Sequence, residues 1–227
     1  MIKLENTVTP SPEQWIAVIR GCRNPMQSYD RMDSVIEYDD WFEKENISIG
    51  ENDMRLMRNL AKAGTDERKF MRMLPVIVDI TAPMYWVAEH DTYKVGTTRN
   101  SCSFMHKGIA RPFKLFDFSW ENEDSARTLL TIVNTLNTLR EAYIKTKDDE
   151  IFREIRQVMP QSYNIKYTWS ANYEVLANIY FARHNHRLPE WRIFCNWILK
   201  LPYFEEIMGL EDGKNSEKAN DDNEKVL

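Results

Sequence analysis

Two polar stretches of this chain carry the residue types that a phosphate-bearing ligand needs. They run from Arg20 to Arg31 and from Asp91 to Lys107. The first contains Arg20, Arg23, Asn24, Gln27, Ser28 and Arg31, and the second contains Lys94, Thr97, Thr98, Arg99, Asn100, Ser101, Ser103, His106 and Lys107. Guanidinium groups beside hydroxyls and backbone amides bind phosphate monoesters and pyrophosphates through charge-assisted hydrogen bonds. Two solvated loops with incidental charge have the same composition, so composition alone leaves both interpretations open.

Other residues that could do chemistry form no recognisable motif. The sequence has no phosphate-binding glycine loop, no dinucleotide glycine fingerprint and no HExxH motif. His184 and His186 have no third ligand nearby in sequence, which favours a hydrogen-bonded turn over a metal site. Cys102 has no recognisable base partner that would make it a catalytic thiolate. Together with Cys22 and Cys195 it makes an odd, widely spaced set, typical of free thiols in a reducing cytosol. The sequence therefore predicts no metal and identifies no catalytic residue.

Charge and hydropathy exclude two classes of partner. The 227 residues include 30 Lys and Arg against 35 Asp and Glu, a net charge of −5. Because a general nucleic-acid or membrane-surface binder shows a basic excess, we expect no polymeric nucleic acid and no membrane as partner. No run of about 18 apolar residues is present, and the N-terminus lacks the apolar segment of a signal peptide. We therefore expect a cytoplasmic protein.

Local signals predict the helices of the first half. The segment from Ser11 to Gln14 has a serine cap, a proline and a glutamine at the spacing of a helix start, and the predicted helix reaches about Arg20. Asn52 or Asp53 is expected to cap a second helix, which ends near Gly64.

The second polar stretch follows a predicted strand and helix, and the rest of the chain also contains both predicted helices and a predicted strand. The strand covers Leu74 to Thr81, and Pro83 opens a helix from Met84 to His90. Further on we expect helices at Glu123 to Lys147, Asp148 to Val158, a segment ending near Arg183, and Trp191 to Leu201, with a strand at Tyr163 to Trp169. The pattern predicts an α+β fold with a mixed or antiparallel sheet flanked by long helices. We expect a single domain over residues 1–210 and a disordered acidic tail over residues 211–227.

The order of these segments resembles the flavin-dependent thymidylate synthases. That family has a strand ending in Ala-Pro, then a helix, then a signature that begins Arg-His-Arg and continues through Ser, Asn and Ser. Here Val76 to Pro83 matches the strand, and the helix from Met84 follows it. The signature falls on Thr92 to Thr97, with Asn100 and Ser103 further on after a slip of one residue.

The second half matches the family's spacing without gaps. The family's Arg-x-x-Leu-Pro is similar to Arg156 to Pro160, and its Asn-Ala-Arg falls on Asn172 to Glu174. The family's intervening basic residue falls on Lys166, and its helix-ending arginine on Arg183. Its Glu-Ile-Arg falls on Glu190 to Arg192. The resemblance covers roughly residues 47–205.

The resemblance implies an enzyme that transfers a one-carbon unit from methylene-tetrahydrofolate to C5 of dUMP, or of a related pyrimidine nucleotide, through reduced FAD, with NADPH as a further co-substrate. It also implies a homotetramer, since the family's site lies at a subunit interface. The flavin contacts would be Lys94, Thr97 and Arg99, and the nucleotide contacts would be Asn100, Ser101, Ser103, Lys166 and Arg183. We also predict nucleotide contacts from the first polar stretch, although no family motif matches there: Arg20, Arg23 and Ser28.

Four positions depart from the family's pattern. Thr92 and Tyr93 stand where the signature has Arg and His, and Glu174 reverses the sign of a nucleotide-binding arginine. The family's flavin-contacting histidine falls near Met73. A non-catalytic nucleotide-binding or assembly protein that keeps the fold therefore stays as the alternative. Arg156 and Glu190 are interpreted as helix-terminal, structural residues.

Overall fold

The computed structural model describes residues 2–39, 41, 44–103 and 108–210. The predicted tail, residues 211–227, lies outside the described residues, as do His106 and Lys107. The strands are β1 (Lys3–Val8), β2 (Val35–Asp39), β3 (Lys44–Ser48), β4 (Pro75–Pro83), β5 (Thr98–Ser101) and β6 (Asn164–Asn172). The helices are α1 (Pro12–Arg23), α2 (Glu51–Lys62), α3 (Met84–His90), α4 (Glu123–Thr146), α5 (Asp149–Val158), α6 (Tyr173–Arg183), α7 (Pro189–Leu199) and α8 (Phe204–Met208). Short 3₁₀ turns include Asn24–Met26, Tyr29–Arg31, Arg68–Met73 and Leu115–Asp117.

The chain divides into two compact units. Unit 1 takes residues 2–6, 78–94 and the described part of 98–169. Unit 2 takes the described parts of 7–77 and 170–210, together with residues 95–97. Each unit has its own core and its own polar cleft, and each is described separately below.

Unit 1 combines a sheet with two long helices. Its strand residues belong to a four-stranded sheet in the order β1–β4–β6–β5. The predicted strand is present as β4, and its side chains alternate, because Val78, Ile80 and Ala82 are buried while Asp79 and Thr81 are half-buried. An apolar cluster joins α4 and α5 to the segment before α4. Its buried members are Ile109, Phe113, Phe118, Leu129, Val133, Leu136 and Ile155. The apolar face of α4 therefore forms part of a core, and this core supports one wall of the unit 1 cleft.

Unit 2 is mostly helical and contains an antiparallel hairpin. Strand β2 pairs with β3 from Val35 opposite Ser48 to Asp39 opposite Lys44. Trp15 on α1 is fully buried, and the rings of Tyr173 and Tyr203 meet it edge to face at 5.6 Å each. Such aromatic pairs stabilise beyond the area that they bury. The sequence predicted neither this hairpin nor β1 nor α8.

The two predicted helix starts have different outcomes. For α1 the prediction is confirmed, because Ser11 Oγ accepts from Gln14 N while Gln14 Oε1 accepts from Ser11 N. Helix α2 instead begins at Glu51, and the carboxylate of Asp33 accepts from Asn52 N at 2.8 Å and Asp53 N at 3.0 Å. Asn52 and Asp53 therefore do not cap α2, because an acid 19 residues upstream satisfies the first turn. A Cβ at the preceding Gly50 would lie 2.2 Å from Asp33 Cγ, so this approach needs glycine.

Candidate anion-binding cleft

A cleft of about 440 Å³ lies within unit 1. Its lining residues come from the start of α3, from β5 and the chain after it, from the end of α5, and from the start of β6: Met84, Arg99, Ser101, Cys102, Ser103, Gly108, Arg111, Arg156, Met159, Tyr163, Asn164, Ile165 and Lys166. Four of these residues are cationic, and none of the described lining residues is acidic. The volume falls within the range of small-molecule sites, and the charge favours an anion.

Arg99 stands on the cleft wall with its guanidinium held by neighbours. Its Nη1 forms an ion pair with Asp91, and its Nε donates to Ser101 Oγ at 2.8 Å. The guanidinium carbon also lies 4.7 Å from the centre of the Tyr167 ring, in a cation–π arrangement. Arg99 is one of the predicted ligand contacts, and the structure places it with Ser101 and Ser103 in one cleft.

Arg111 is held by a bidentate ion pair. Its Nη1 and Nη2 donate to the two carboxylate oxygens of Asp117 at 2.8 and 2.5 Å. Asp117 also accepts from the backbone N–H of Lys114 at 2.9 Å, which fixes the carboxylate at the 3₁₀ turn. A planar fork paired in this way has a defined direction, and it retains N–H donors for a ligand.

Arg156 and Tyr163 complete this side of the cleft. Arg156 lies in the last turn of α5, as predicted, but it also lines the cleft. Its interpretation as purely structural is therefore replaced by a place in the candidate site. Burial, with the nearby Asp117, raises the pKa of the Tyr163 phenol above its usual range, and the cations Arg111 and Arg156 oppose this shift. Tyr163 thus remains a protonated hydroxyl at neutral pH.

Lys166 extends from β6 into a polar network on the sheet. Its Nζ lies 3.9 Å from Glu5 and 4.0 Å from Asp79, and the side chain is half exposed. Hydrogen bonds from Thr168 and Asn6 lower the pKa of Asp79, so this carboxylate is ionised at neutral pH. The two loose ion pairs orient the ammonium group while leaving it accessible to a ligand.

Four of the contacts that the family resemblance implies do not line this cleft. Lys94 is exposed at the end of the turn after α3, and Asn100 is an exposed residue of β5 outside the lining set. Thr97 and Arg183 belong to unit 2, where the Arg183 guanidinium stacks on Trp191 at 4.8 Å. Of the residues predicted to contact a flavin, Lys94 and Arg99 belong to unit 1 and Thr97 to unit 2, and their role in flavin binding stays a prediction.

The first polar stretch forms a separate cleft of about 420 Å³ within unit 2, lined by Arg23, Met26, Gln27, Ser28, Asp30, Arg31, Asn52, Arg55, Leu56 and Asn59. Arg20 is exposed and does not line it. Arg23 is buried, its Nε donates to Asp53 Oδ1 at 2.7 Å, and its Nη1 donates to Ser28 O at 3.3 Å. Asp53 Oδ2 accepts from Asp33 N, Ser34 N and Ser34 Oγ. Arg23 therefore takes part in an internal ion pair while it also lines this cleft with Ser28, and the predicted role of both residues as ligand contacts stays a prediction.

Glu174 also has an internal partner. The carboxylate accepts two hydrogen bonds from the guanidinium of Arg72, which lies in the 3₁₀ turn before β4. The sign reversal at this position is thus compensated within unit 2, and an anion here would meet a carboxylate. Sequence reasoning found the reversal but missed Arg72, because no local pattern joins residues that are 102 apart.

Comparisons with known proteins bear on the fold. No family model and no curated protein matches this chain. Two solved structures of thymidylate synthase X (ThyX) from Helicobacter pylori, both with FAD and dUMP, do match. One is 14% identical and covers 91% of this chain and 95% of that one, with a TM-score of 0.63. The other is 13% identical and covers 91% and 96%, with a TM-score of 0.62. The chain therefore has the α+β fold of the flavin-dependent thymidylate synthases, as the order of its segments predicted.

Proposed function

We propose that the unit 1 cleft binds a pyrimidine nucleoside monophosphate of the dUMP class through its phosphate. One observation carries this proposal: Arg99, Arg111, Arg156 and Lys166 surround a single cleft whose described lining contains no acid. A phosphate dianion needs such donors because hydroxyls orient it without neutralising it. Ser101, Ser103 and Tyr163 supply the hydroxyls, and Met84, Met159 and Ile165 offer apolar surface for a flat ring.

Likeness of fold to structures that contain dUMP supports the same ligand class. In the enzymatic form of the proposal, a one-carbon unit passes from methylene-tetrahydrofolate to C5 of the pyrimidine, and FAD supplies the redox chemistry when bound. This chain's own residues would bind the phosphate and orient the ring, which is positioning and charge stabilisation. Lys94, Thr97 and Arg99 are the residues that would contact a bound FAD, as the family resemblance implies.

A second candidate is nucleotide binding without flavin chemistry. It is favoured by Thr92 and Tyr93 in place of the signature cations, and by the Arg72–Glu174 pair at a position that binds nucleotide in the family that the sequence resembles. An absorbance scan of the purified protein separates the two forms. A flavin spectrum, retained after gel filtration with added FAD, supports the enzyme, and a colourless protein supports the second candidate.

Titration calorimetry with dUMP tests the binding proposal itself. Lys166→Ala and Arg156→Ala are each expected to weaken dUMP binding by roughly 10- to 150-fold, the equivalent of one lost charge-assisted hydrogen bond. Arg127→Ala is the matched control, because this exposed arginine of α4 pairs only weakly with Glu123 and Asp124. If the wild-type protein shows no heat with dUMP, or if all three variants bind equally, the proposal is wrong.

A further inference from the structure

Arg99 is more tightly held than an exposed loop arginine needs to be. Three groups of unit 1 restrain its guanidinium: the Asp91 carboxylate, the Ser101 hydroxyl and the face of the Tyr167 ring. The three restraints come from different elements, since Asp91 caps the end of α3, Ser101 ends β5 and Tyr167 lies in β6. A side chain restrained from three elements has lost most of its rotamer freedom before any ligand arrives.

Tyr167 is itself fixed from the interior of unit 1. Its hydroxyl lies 3.1 Å from His90 Nδ1, and the His90 ring stacks on Trp86 at a centroid distance of 4.7 Å. Trp169 meets the same imidazole edge to face at 4.6 Å. Burial and the charge of Arg99 lower the pKa of His90 to about 3, so the imidazole is neutral at physiological pH. A neutral, packed imidazole anchors the tyrosine without adding a second charge beneath Arg99.

The restraints leave donors for a ligand. A guanidinium has five N–H donors. In Arg99, Asp91 occupies one donor on Nη1 and Ser101 occupies the donor on Nε. Three donors on Nη1 and Nη2 remain, which suffices for a bidentate pair with two oxygens of one phosphate. The arrangement thus fixes the plane of the fork while leaving its outer edge for an anion.

We propose that Asp91 and Tyr167 are positioning residues, which hold the Arg99 guanidinium in the orientation that binds the nucleotide phosphate. This inference rests on the proposed function of the cleft. Neither residue is among the lining residues, so each acts on the ligand through Arg99 alone. Restraint before binding lowers the entropy cost of forming the phosphate contact.

The direction in which removal of Asp91 changes the affinity for an anion separates this proposal from simple charge compensation. If Asp91 only neutralises Arg99, its removal leaves more positive potential beside the cleft, and an anion binds more tightly. If Asp91 positions Arg99, its removal frees the guanidinium and an anion binds more weakly. Asp91 is about half exposed, so its replacement does not threaten folding.

A double-mutant cycle with dUMP calorimetry on the full chain tests the proposal. Asp91→Ala and Tyr167→Leu are each expected to weaken dUMP binding by roughly 2- to 5-fold, in line with one ion pair and one cation–π contact. Tyr167→Phe keeps the ring and is expected to bind within about 2-fold of the wild type, because the cation–π contact survives. In an Arg99→Ala background, Asp91→Ala and Tyr167→Leu are expected to have no further effect.

The outcomes are distinct. Tighter binding by Asp91→Ala, or losses that add in the Arg99→Ala background, would overturn the positioning role while leaving the cleft proposal intact. Failure of the wild-type protein to bind dUMP would remove the proposed function and this inference together. Asp124→Ala, which removes an exposed acid of α4, serves as the charge-matched control and should leave dUMP affinity unchanged.

Discussion

The buried ion pair between Arg23 and Asp53 joins α1 to α2 in unit 2, and Asp53→Asn is the substitution that tests its contribution to stability. The two side chains are 4% and 0% exposed, and Asp53 accepts hydrogen bonds from four groups: Arg23 Nε, Asp33 N, Ser34 N and Ser34 Oγ. An asparagine of the same shape has one acceptor oxygen and an NH₂ group. Either Arg23 or the N–H groups of residues 33 and 34 would then face another donor.

The expected loss of stability in Asp53→Asn follows from the cost of leaving the buried charge of Arg23 uncompensated. Breaking a buried ion pair by removing one partner costs about 3–5 kcal/mol. The free energy of unfolding of a domain is about 5–15 kcal/mol, so the variant should lose a large share of it. We expect urea denaturation at pH 7 to show a lower midpoint with an unchanged slope. Asp30→Asn is the control, because Asp30 is an exposed acid in the segment between α1 and β2. Its free energy of unfolding should stay within about 0.5 kcal/mol of the wild-type value.

The pH dependence gives the same experiment a second readout. Burial alone would raise the pKa of Asp53, but the hydrogen bonds from Ser34, Asp33 N and Arg23 outweigh it, and the folded-state pKa lies below the usual value. A depressed pKa stabilises the folded state at pH values above the unfolded pKa of about 3.9, and this stabilisation is lost as the pH falls through the folded pKa. The difference between wild type and Asp53→Asn should therefore narrow below about pH 4. A loss under 1 kcal/mol at pH 7, or a difference independent of pH, would refute the reasoning.

Four further expectations can be checked with standard assays. Arg72→Ala should lower the urea midpoint of unfolding only slightly, because Arg72 is about half exposed although its partner Glu174 is nearly buried. A fall as large as that of Asp53→Asn would contradict this expectation. Tyr167→Phe should cost about 1–3 kcal/mol in the same assay, because the buried His90 loses its hydroxyl partner; no loss would mean that this bond contributes nothing. Truncation after Leu210 should leave the melting temperature unchanged, since the removed segment is polar and lacks aromatic residues; a drop of several degrees would show that the segment docks. Light scattering should give a tetramer at micromolar concentration, the assembly that the resemblance implies, and a monomer would refute this expectation.

Local signals in the sequence predicted several helices and strands of both units. The cap at Ser11, the strand–proline–helix junction at Pro83 and the periodicity of α4 depend on neighbours within a few residues, so the sequence alone places them. Strands β2 and β3 were missed although they form a local hairpin, and β1 was missed because its neighbour in the sheet, β4, lies far along the chain. The Asp33 cap of α2 has the same cause, since the acid and the helix are separated by a hairpin.

The candidate site was predictable only in part, for a similar reason. Arg99, Ser101, Ser103 and Lys166 were found from the second polar stretch and from the spacing that the chain shares with a known family. Arg156 lines the cleft but was not among the predicted contacts, because a helix-terminal arginine has the same sequence pattern whether it faces solvent or a cleft. Arg111 also lines the cleft and lies in none of the motifs that the sequence offered. The ion pair of Arg23 was not foreseen, because its partner Asp53 lies 30 residues away.

The location of the proposed nucleotide site is tested most directly by the reactivity of Cys102, an exposed thiol on the wall of the unit 1 cleft. Burial raises the pKa of both other thiols, Cys22 and Cys195, to about 12, so they should react slowly with iodoacetamide at neutral pH. Mass spectrometry can therefore follow Cys102 alkylation alone, with dUMP or with deoxyuridine, which lacks the phosphate. The account predicts that saturating dUMP slows alkylation of Cys102 and that the same concentration of deoxyuridine does so far less. Alkylation at the same rate with and without bound dUMP would contradict a nucleotide site in this cleft.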